Sequence, residues 1–256
     1  MSRTTAFVWN DTTPRPAAQQ MAIDRAHADR AARDGTIVYR LYRWAGDSVS
    51  FGANEAATRT WDRERLERLK VHCVRRPTGG RGVWHDATDL TYSITAPLAE
   101  FGDLRTAYRV IHEQLARALG HLDLAASVAP NRGRPTLSPG GCFDLTIGGE
   151  VMVAGRKTIG SAQALIGAAA ALLQHGAIAR ADRAPRLARF RLERTVLEPD
   201  ISRSPLPSPD LVAKSIVDTW IDAGGAVVPN GFVEQSLGES AEYAASFQDP
   251  EWTWRR

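Results

Sequence analysis

The sequence predicts an α+β fold within one domain, and three observations support this prediction. Short segments with alternating polarity, typical of strands, lie among segments whose apolar residues recur at helical spacing. The two kinds of segment do not follow the strict β–α–β alternation of a parallel α/β protein. Neither an internal repeat nor a clear linker divides the 256 residues, and this length is sufficient for one large core.

The first half of the chain contains most of the predicted strands. Residues 17–33 place apolar side chains on one face of a helix, and Gly35 is positioned to end it. Residues 37–43 alternate in the manner of a strand, and we expect 48–52 to be its partner. The remaining predicted elements are a strand at 7–9, a short charged helix at 61–69, and strands at 71–74 and 90–96.

The second half begins with a helix at 104–119, whose apolar residues recur at helical spacing. A loop rich in proline, glycine and arginine follows at 129–141. The alanine run within 164–173 favours a helix by propensity alone, and we expect the proline-rich segment 185–209 to be irregular. The other predicted elements are a strand at 150–154 and helices at 211–223 and 233–245.

Composition excludes several classes of function. Apolar residues make up 43% and charged residues 24% of the chain, as in ordinary soluble globular proteins. No apolar run approaches the roughly 20 residues of a membrane span, so no membrane partner is expected. The net charge is only +3 with both signs interspersed, so nucleic acid is not an expected partner. Two cysteines and an N-terminus without a signal peptide predict a cytoplasmic location.

Residues 75–86 are the most informative stretch of the chain. They read Arg-Arg-Pro-Thr-Gly-Gly-Arg-Gly-Val-Trp-His-Asp. Because glycine has no side chain, Gly79 and Gly80 let backbone N–H groups approach a ligand closely. Arg75 and Arg76 add positive charge that suits a phosphate or carboxylate group. An ordinary hairpin has the same ingredients, so this stretch alone does not establish a binding site.

A cysteine and a lysine further along the chain suggest covalent chemistry. Cys142 follows two glycines in a predicted loop, where a thiol is accessible. A free thiol titrates near ~8.5, and a nearby cation stabilises the reactive thiolate. Lys157 is the candidate cation, because a hairpin can return it to Cys142. The small residues 160–162 follow it, so two glycine-lined walls, a thiol and an ammonium suit an acyl group carried as a thioester.

Two segments together resemble the signatures of one family. Residues 75–86, followed by Leu-Thr-Tyr-Ser at 90–93, resemble the Arg-Arg-x-x-Gly-Gly-x-x-Val-x-His-Asp signature of the lipoate–protein ligase and octanoyltransferase family. Residues 157–163 resemble its Lys-x-x-Gly-Ser-Ala signature. The resemblance implies an α+β fold with a mixed, largely antiparallel sheet flanked by helices, shared with biotin protein ligases. It also implies strands over 164–180 and a single catalytic domain over 1–256 without an accessory domain.

This family includes two chemistries. Its ligases activate lipoate with ATP and magnesium and need no cysteine. Its cysteine-dependent octanoyltransferases pass an octanoyl group from octanoyl-acyl carrier protein, through a cysteine thioester, to a lysine of a lipoyl domain or of the glycine cleavage H protein. Cys142-Phe143, the interval to Lys157 and the lack of a third glycine after Gly80 resemble the transferases. Residues 144–148 depart from them, because the frequent Pro-Ser is absent.

By this resemblance Cys142 is the nucleophile and Lys157 stabilises its thiolate. No cofactor and no metal is then expected, and ATP and magnesium enter only for a ligase. Two further alternatives are acyl transfer between lipoylated proteins and a non-catalytic member that only binds carrier proteins. The residues expected to shape the substrate pocket are Arg76, Gly79, Gly80, His85, Gly160, Ser161 and Ala162.

Several other side chains have a structural alternative to a functional role. His85 either orients the ligand or hydrogen-bonds to the glycine turn. Asp86 is expected to cap a turn and His175 to be structural. Trp84 is the tryptophan expected to contact the acyl chain. Cys73, within an apolar strand, is expected to be a small buried residue.

Overall fold

A computed structural model of the chain describes residues 6–130, 149–178, 184–193 and 206–255. These ranges contain eleven strands. In chain order the strands are β1 (Ala6–Arg15), β2 (Ile37–Trp44), β3 (Ser48–Phe51), β4 (His72–Arg75), β5 (Val83–His85), β6 (Leu90–Pro97), β7 (Ala126–Val128), β8 (Val151–Val153), β9 (Arg156–Ile166), β10 (Ala171–Ile178) and β11 (Ala226–Val227).

The same ranges contain eight α-helices and a short 3₁₀ helix at Leu98–Glu100. In chain order the α-helices are α1 (Ala17–Asp34), α2 (Ala57–Thr60), α3 (Arg63–Arg68), α4 (Leu104–Gly120), α5 (Ala184–Ala188), α6 (Pro209–Asp222), α7 (Phe232–Gln248) and α8 (Pro250–Trp254). The predicted end of α1 at Gly35 is confirmed, since this glycine adopts φ 79° and donates its N–H to the Ala31 carbonyl.

Two sheets organise the described part of the chain. The larger has eight strands in the order β11-β1-β2-β6-β10-β9-β8-β7, and the smaller has the order β4-β3-β5. In the larger sheet β1 runs parallel to both of its neighbours, whereas the five other pairings are antiparallel. The predicted mixed, largely antiparallel sheet flanked by helices is therefore confirmed.

The pairing expected for 48–52 is wrong. This segment forms β3, which pairs with β4 and β5 in the smaller sheet rather than with β2. The reason is that β1 and β6 already occupy the two edges of β2, so β2 has no edge left for another strand.

The helical propensity of 164–173 is overridden by strand pairing. β9 runs to Ile166 and β10 starts at Ala171, joined by a four-residue turn in which Gly167 and Ala170 have positive φ. Because β10 lies between β6 and β9 and is buried along its whole length, its backbone groups are satisfied by the two flanking strands. The strands that the family resemblance implied here are confirmed as far as residue 178.

Helices cover both faces of the eight-stranded sheet. On one face α4 and α6 pack over a core that includes Leu41, Tyr92 and Leu172. On the opposite face α1 packs over Tyr42 and Trp44, with α7 against α1. The alternation of strand side chains explains this division, because neighbouring residues point to opposite faces.

The C-terminal half agrees with the sequence in part. The predicted helices at 211–223 and 233–245 correspond to α6 and α7. The segment 185–209, expected to be irregular, contains most of α5, and 194–205 lies outside the described residues. None of the helices in the described ranges has the length and apolar character needed to cross a membrane. The prediction of a single domain stays a prediction.

Candidate active site

The glycine turn of the first motif is built against the end of β3. β4 carries the chain to Arg75, the turn follows, and β5 returns as Val83–His85. A Cβ atom on Gly52 would collide with the carbonyl oxygen of Gly80, so two backbone segments meet there without intervening side chains. Gly80 adopts φ 91°, a conformation that favours glycine.

A narrow cavity lies between the two sheets. Five of the seven residues predicted to shape the substrate pocket line it: Arg76, His85, Gly160, Ser161 and Ala162. The other lining residues are Met21, Tyr42, Trp44, Ser50, Val83, Thr91, His175, Gly176 and Ala177. The structure thus brings the two motifs together around one space.

Gly79 and Gly80 lie in the turn beside this cavity, and Arg76 holds the turn in place. The Arg76 guanidinium donates to the Gly79 carbonyl at 2.8 Å and to the Arg81 carbonyl at 2.8 Å. It also donates to the Ser50 carbonyl at 2.6 Å. Arg76 therefore shapes the turn and presents positive charge to the cavity at the same time.

The expected role of Arg75 beside a ligand is wrong. Its side chain is fully buried and does not line the cavity. Its guanidinium donates to backbone carbonyls of the segment after β3 and of the C-terminal helix region, namely Gly52, Ala53, Glu55, Trp252, Thr253 and Arg255. The planar guanidinium, with five donors, is suited to joining carbonyls from two distant segments.

His85 is held from both sides of its ring. Its Nδ1 lies 2.7 Å from Asp89 Oδ2 and its Nε2 lies 2.8 Å from Ser50 Oγ. The Trp44 ring stacks on it with centroids 3.8 Å apart. Sequence reasoning missed Ser50 and Asp89. A carboxylate four residues after the motif histidine was a local signal for Asp89, whereas Ser50 lies on another strand.

A second histidine, His175, links the cavity wall to helix α1. Its Nδ1 lies 3.5 Å from Asp24 Oδ2, and its Nε2 lies 2.5 Å from Thr78 Oγ1. Burial lowers the pKa of His175, although the nearby Asp24 carboxylate raises it in part. Burial also acts to raise the pKa of Asp24, but the contacts with His175 and the charge of Arg40 bring it below its ordinary value. The structural role predicted for His175 agrees with these contacts, and His175 also lines the cavity.

Lys157 pairs with a carboxylate that sequence reasoning missed. Its Nζ lies 2.5 Å from Glu150 Oε1, and both side chains are almost completely buried. The β8–β9 hairpin explains the approach, because its two-residue turn, Ala154 and Gly155, has positive φ at both positions, as a tight hairpin requires. Cys142 lies outside the described residues, so its position relative to Lys157 stays a prediction.

A chain of hydrogen bonds connects this hairpin to the second motif. His112 on α4 is buried, with Nδ1 2.5 Å from the Gly149 carbonyl and Nε2 2.8 Å from Ser161 Oγ. Burial lowers the pKa of His112 to about 4; the bond to Gly149 opposes this shift, and the charge of Lys157 adds to it. The ring is therefore neutral at neutral pH. Its Nδ1 donates to the carbonyl, so its Nε2 accepts from the Ser161 hydroxyl.

The chain continues across the sheet from Ser161. Tyr92 Oη lies 2.6 Å from Ser161 Oγ, and it donates there because the serine proton is already given to His112. The Gln174 amide donates to Tyr92 Oη at 2.8 Å. A Cβ on Gly176, between Tyr92 and Ser161 in the sheet register, would collide with both side chains. This position must therefore be glycine for the second motif to be braced in this way.

Known proteins similar to this chain belong to one family. Residues 16–181 match the family model of the lipoyl protein ligase A/B catalytic domain. The chain belongs to this family. Octanoyltransferase LipM of Kyrpidia tusciae is 33% identical over 266 residues, covering 94% of this chain and 95% of that protein. Octanoyltransferase LipM of Carboxydothermus hydrogenoformans is 38% identical over 165 residues, covering 63% of this chain and 60% of that protein.

Solved structures of the lipoyl protein ligase family share the fold. Lipoate-protein ligase A bound with ATP superimposes with a TM-score of 0.80 at 20% identity, covering 98% of this chain and 99% of that one. A bipartite lipoate protein ligase from Thermoplasma acidophilum gives 0.76 at 19% identity, with 98% and 97% covered. At these identities the likeness supports the fold alone.

Three remaining expectations within the lipoyl protein ligase motif region have clear outcomes. Trp84 does not line the cavity: it is buried and stacks on Phe190, whereas Trp44 provides the indole wall. Asp86 accepts a hydrogen bond from the Thr88 N–H at 2.9 Å, which confirms the predicted turn cap. Cys73, expected to be buried, is half-buried against a core cluster, and this burial raises the pKa of its thiol to about 12.

Proposed function

We propose that this member of the lipoyl protein ligase family is an octanoyltransferase. It moves an octanoyl group from octanoyl-acyl carrier protein, through a thioester on Cys142, to a lysine of a lipoyl domain or of the glycine cleavage H protein. The observation that carries the proposal is the similarity to LipM octanoyltransferases along nearly the whole chain. The cavity between the two motifs supports it, because its apolar and small lining residues suit a slender acyl chain.

Two half-reactions account for the transfer. The Cys142 thiolate attacks the thioester carbonyl, a new carbon–sulfur bond forms, and the carrier's sulfur leaves with a proton from Lys157. The neutral acceptor amine then attacks the Cys142 thioester, the amide bond forms, and the amine proton returns to Lys157. The Cys142 thiolate is thereby regenerated, and the cycle needs no further reactant.

Intact mass spectrometry tests this proposal. Wild-type protein incubated with octanoyl-acyl carrier protein should gain one octanoyl group. When lipoyl domain is then added, the octanoyl group should move from the enzyme to the lipoyl domain. The Cys142→Ala variant should gain none by this route and should not octanoylate the lipoyl domain. Normal transfer by Cys142→Ala, without an acyl-enzyme, would contradict the proposal.

The same materials separate the alternatives. A ligase should exchange pyrophosphate with ATP in the presence of lipoate or octanoate, and should not depend on Cys142. Transfer that occurs only from an octanoylated protein, and not from octanoyl-acyl carrier protein, indicates exchange between proteins. Binding of lipoyl domain without any transfer indicates a non-catalytic member.

A further inference from the structure

We propose that Ser50, His85 and Asp89 form a second acyl-accepting centre in the cavity, which hydrolyses activated acyl esters and thioesters. The expected preference for an octanoyl chain rests on the proposed function, whereas the centre itself does not. The centre is separate in sequence from Cys142 and Lys157, and it lies on the smaller sheet and the turn that follows it.

Geometry is the first argument for this centre. Ser50 Oγ lies 2.8 Å from His85 Nε2, and His85 Nδ1 lies 2.7 Å from Asp89 Oδ2. Both distances fall within the range of about 2.6–3.2 Å expected for a nucleophile, its base and the group that orients the base. A carboxylate only accepts hydrogen bonds, so His85 Nδ1 carries the proton. In the neutral ring Nε2 is then the acceptor, and the Ser50 hydroxyl donates to it.

Rigid elements fix this geometry. Ser50 lies on β3 and His85 on β5, and the two strands are paired antiparallel. The exposed fractions are 3%, 3% and 0% for Ser50, His85 and Asp89. The Asp89 N–H donates to the Asp86 carbonyl at 2.9 Å, which closes the turn after β5. With Trp44 stacked on the ring, His85 has little freedom to leave Ser50.

Access and charge supply the second argument. Ser50, His85 and Arg76 all line the cavity. Arg76 Nη1 lies 3.2 Å from Ser50 Oγ, which places a permanent positive charge beside the point of attack. A fixed cation at this point stabilises the negative charge that develops on the carbonyl oxygen as the serine attacks.

The Thr78–His175–Asp24 arrangement resembles this centre but does not meet the same criteria. Thr78 is completely buried and does not line the cavity. The distance from His175 Nδ1 to Asp24 is 3.5 Å, which is longer than an orienting hydrogen bond. Ser161 also lines the cavity and bonds His112 Nε2, but His112 Nδ1 bonds a backbone carbonyl rather than a carboxylate. We therefore assign the hydrolytic role to Ser50.

The proposed reaction needs only water. Ser50 Oγ attacks the acyl carbonyl while its proton passes to His85 Nε2, and the departing thiol or alcohol takes that proton. Water then attacks the Ser50 ester and gives a proton to His85 Nε2. The bond from carbonyl carbon to Ser50 Oγ breaks, the proton returns to Ser50, and a free carboxylic acid leaves.

The test uses the full chain in a Cys142→Ala background, so that the cysteine cannot contribute. The probes are p-nitrophenyl octanoate, for hydrolysis, and an alkyl fluorophosphonate, for covalent labelling located by peptide mass spectrometry. We expect labelling at Ser50 and hydrolysis that falls about 100-fold or more when Ser50→Ala is added. Ser48→Ala is the matched control, because Ser48 is buried on the same strand, donates its hydroxyl to the Gly46 carbonyl and does not line the cavity.

Asp89→Asn tests the orienting role without removing the nucleophile. We expect kcat to fall with little change in KM, and the pH–rate profile to shift, because the amide can present the wrong hydrogen-bonding atom to Nδ1. Circular dichroism of each variant separates these effects from unfolding.

The outcomes distinguish this inference from the proposed function. Labelling of Ser50 in the Cys142→Ala protein, together with a wild-type protein that forms no Cys142 thioester, supports the inference and contradicts the proposed function. The inference is overturned, and the proposed function kept, by three results together. The wild type forms a Cys142 thioester, Ser50 is not labelled, and Cys142→Ala hydrolyses the ester equally fast with and without Ser50→Ala.

Discussion

Lys157 Nζ lies 2.5 Å from Glu150 Oε1, with the two side chains only 5% and 3% exposed. The proposed thiolate of Cys142 would therefore approach a lysine that already has one anionic partner. Glu150 compensates the ammonium in a site with little water, so that Lys157 is held in place before substrate arrives. In this way Glu150 is a positioning residue for the proposed transfer.

Glu150→Gln should destabilise the fold by about 3–5 kcal/mol, because it removes a carboxylate from direct contact with a buried ammonium. Urea denaturation of both proteins measures the difference. Asp218→Asn is the matched control: Lys214 and Asp218 are also 2.5 Å apart, but they are 72% and 50% exposed. Loss of an exposed pair should cost less than about 1 kcal/mol. Equal losses in the two variants would show that burial of the Glu150 pair has no energetic consequence.

Gly52→Ala should disrupt the first glycine turn. The added methyl group would collide with the Gly80 carbonyl, and backbone on both sides leaves it little room to move. We expect a loss of about 1–3 kcal/mol in stability and about 100-fold in octanoyl transfer, because the displaced turn borders the cavity. Gly46→Ala is the control, since a Cβ there meets nothing within 4 Å. A fully active Gly52→Ala variant would contradict the proposed role of this close approach.

The two cysteines should differ sharply in reactivity. Burial, with the charge of Glu67, raises the pKa of Cys73 to about 12, so the thiolate fraction at neutral pH is on the order of 10⁻⁵. Iodoacetamide at neutral pH should therefore modify Cys142 at least about tenfold faster, as followed by peptide mass spectrometry. Cys73→Ala should retain octanoyl transfer. Faster modification of Cys73 in the folded protein would contradict both its burial and the assignment of the nucleophile.

Local patterns in the sequence predicted those elements whose environment is asymmetric. The helix at 104–119 has one face on the core, and this leaves a readable period. β10 has no such period, because every residue from Ala171 to Ile178 is buried. Its alanine and leucine content then favours a helix, and only pairing with β6 and β9 determines the strand.

The candidate site, like the fold, was predictable from the sequence only in part. The glycines and small residues of the two motifs were recognisable because their chemistry lies within a few adjacent positions. Ser50 and His85 are 35 residues apart, and His112 and Ser161 are 49 apart. Such contacts depend on which strands are neighbours and in which register, and nothing in a single segment encodes that choice. Glu150 was missed for the same reason, because the register of β8 and β9 sets its partner.

The free energy of unfolding should fall as the pH is lowered through the range in which His112 titrates. The pKa of His112 in the folded protein is about 4, below the ordinary value of about 6.5. Above about pH 6.5 the ring is neutral in both states, and its full contribution to stability is present. Between about pH 6.5 and 4 the unfolded chain binds a proton that the folded protein does not, so stability decreases by roughly 3 kcal/mol over this window.

His112→Gln removes this titration. Its unfolding should therefore take up about one proton fewer than that of the wild type between about pH 6.5 and 4, and its stability should depend less steeply on pH. His27 provides an internal comparison, because burial and the charge of Arg40 lower its pKa to about 3. Unfolding of the double variant with His27→Gln should therefore take up about two protons fewer than that of the wild type. Urea denaturation at several pH values measures the pH dependence of stability in both variants. If His112→Gln keeps the slope of the wild type, then His112 binds a proton as readily in the folded protein as in the unfolded chain, which contradicts its lowered pKa.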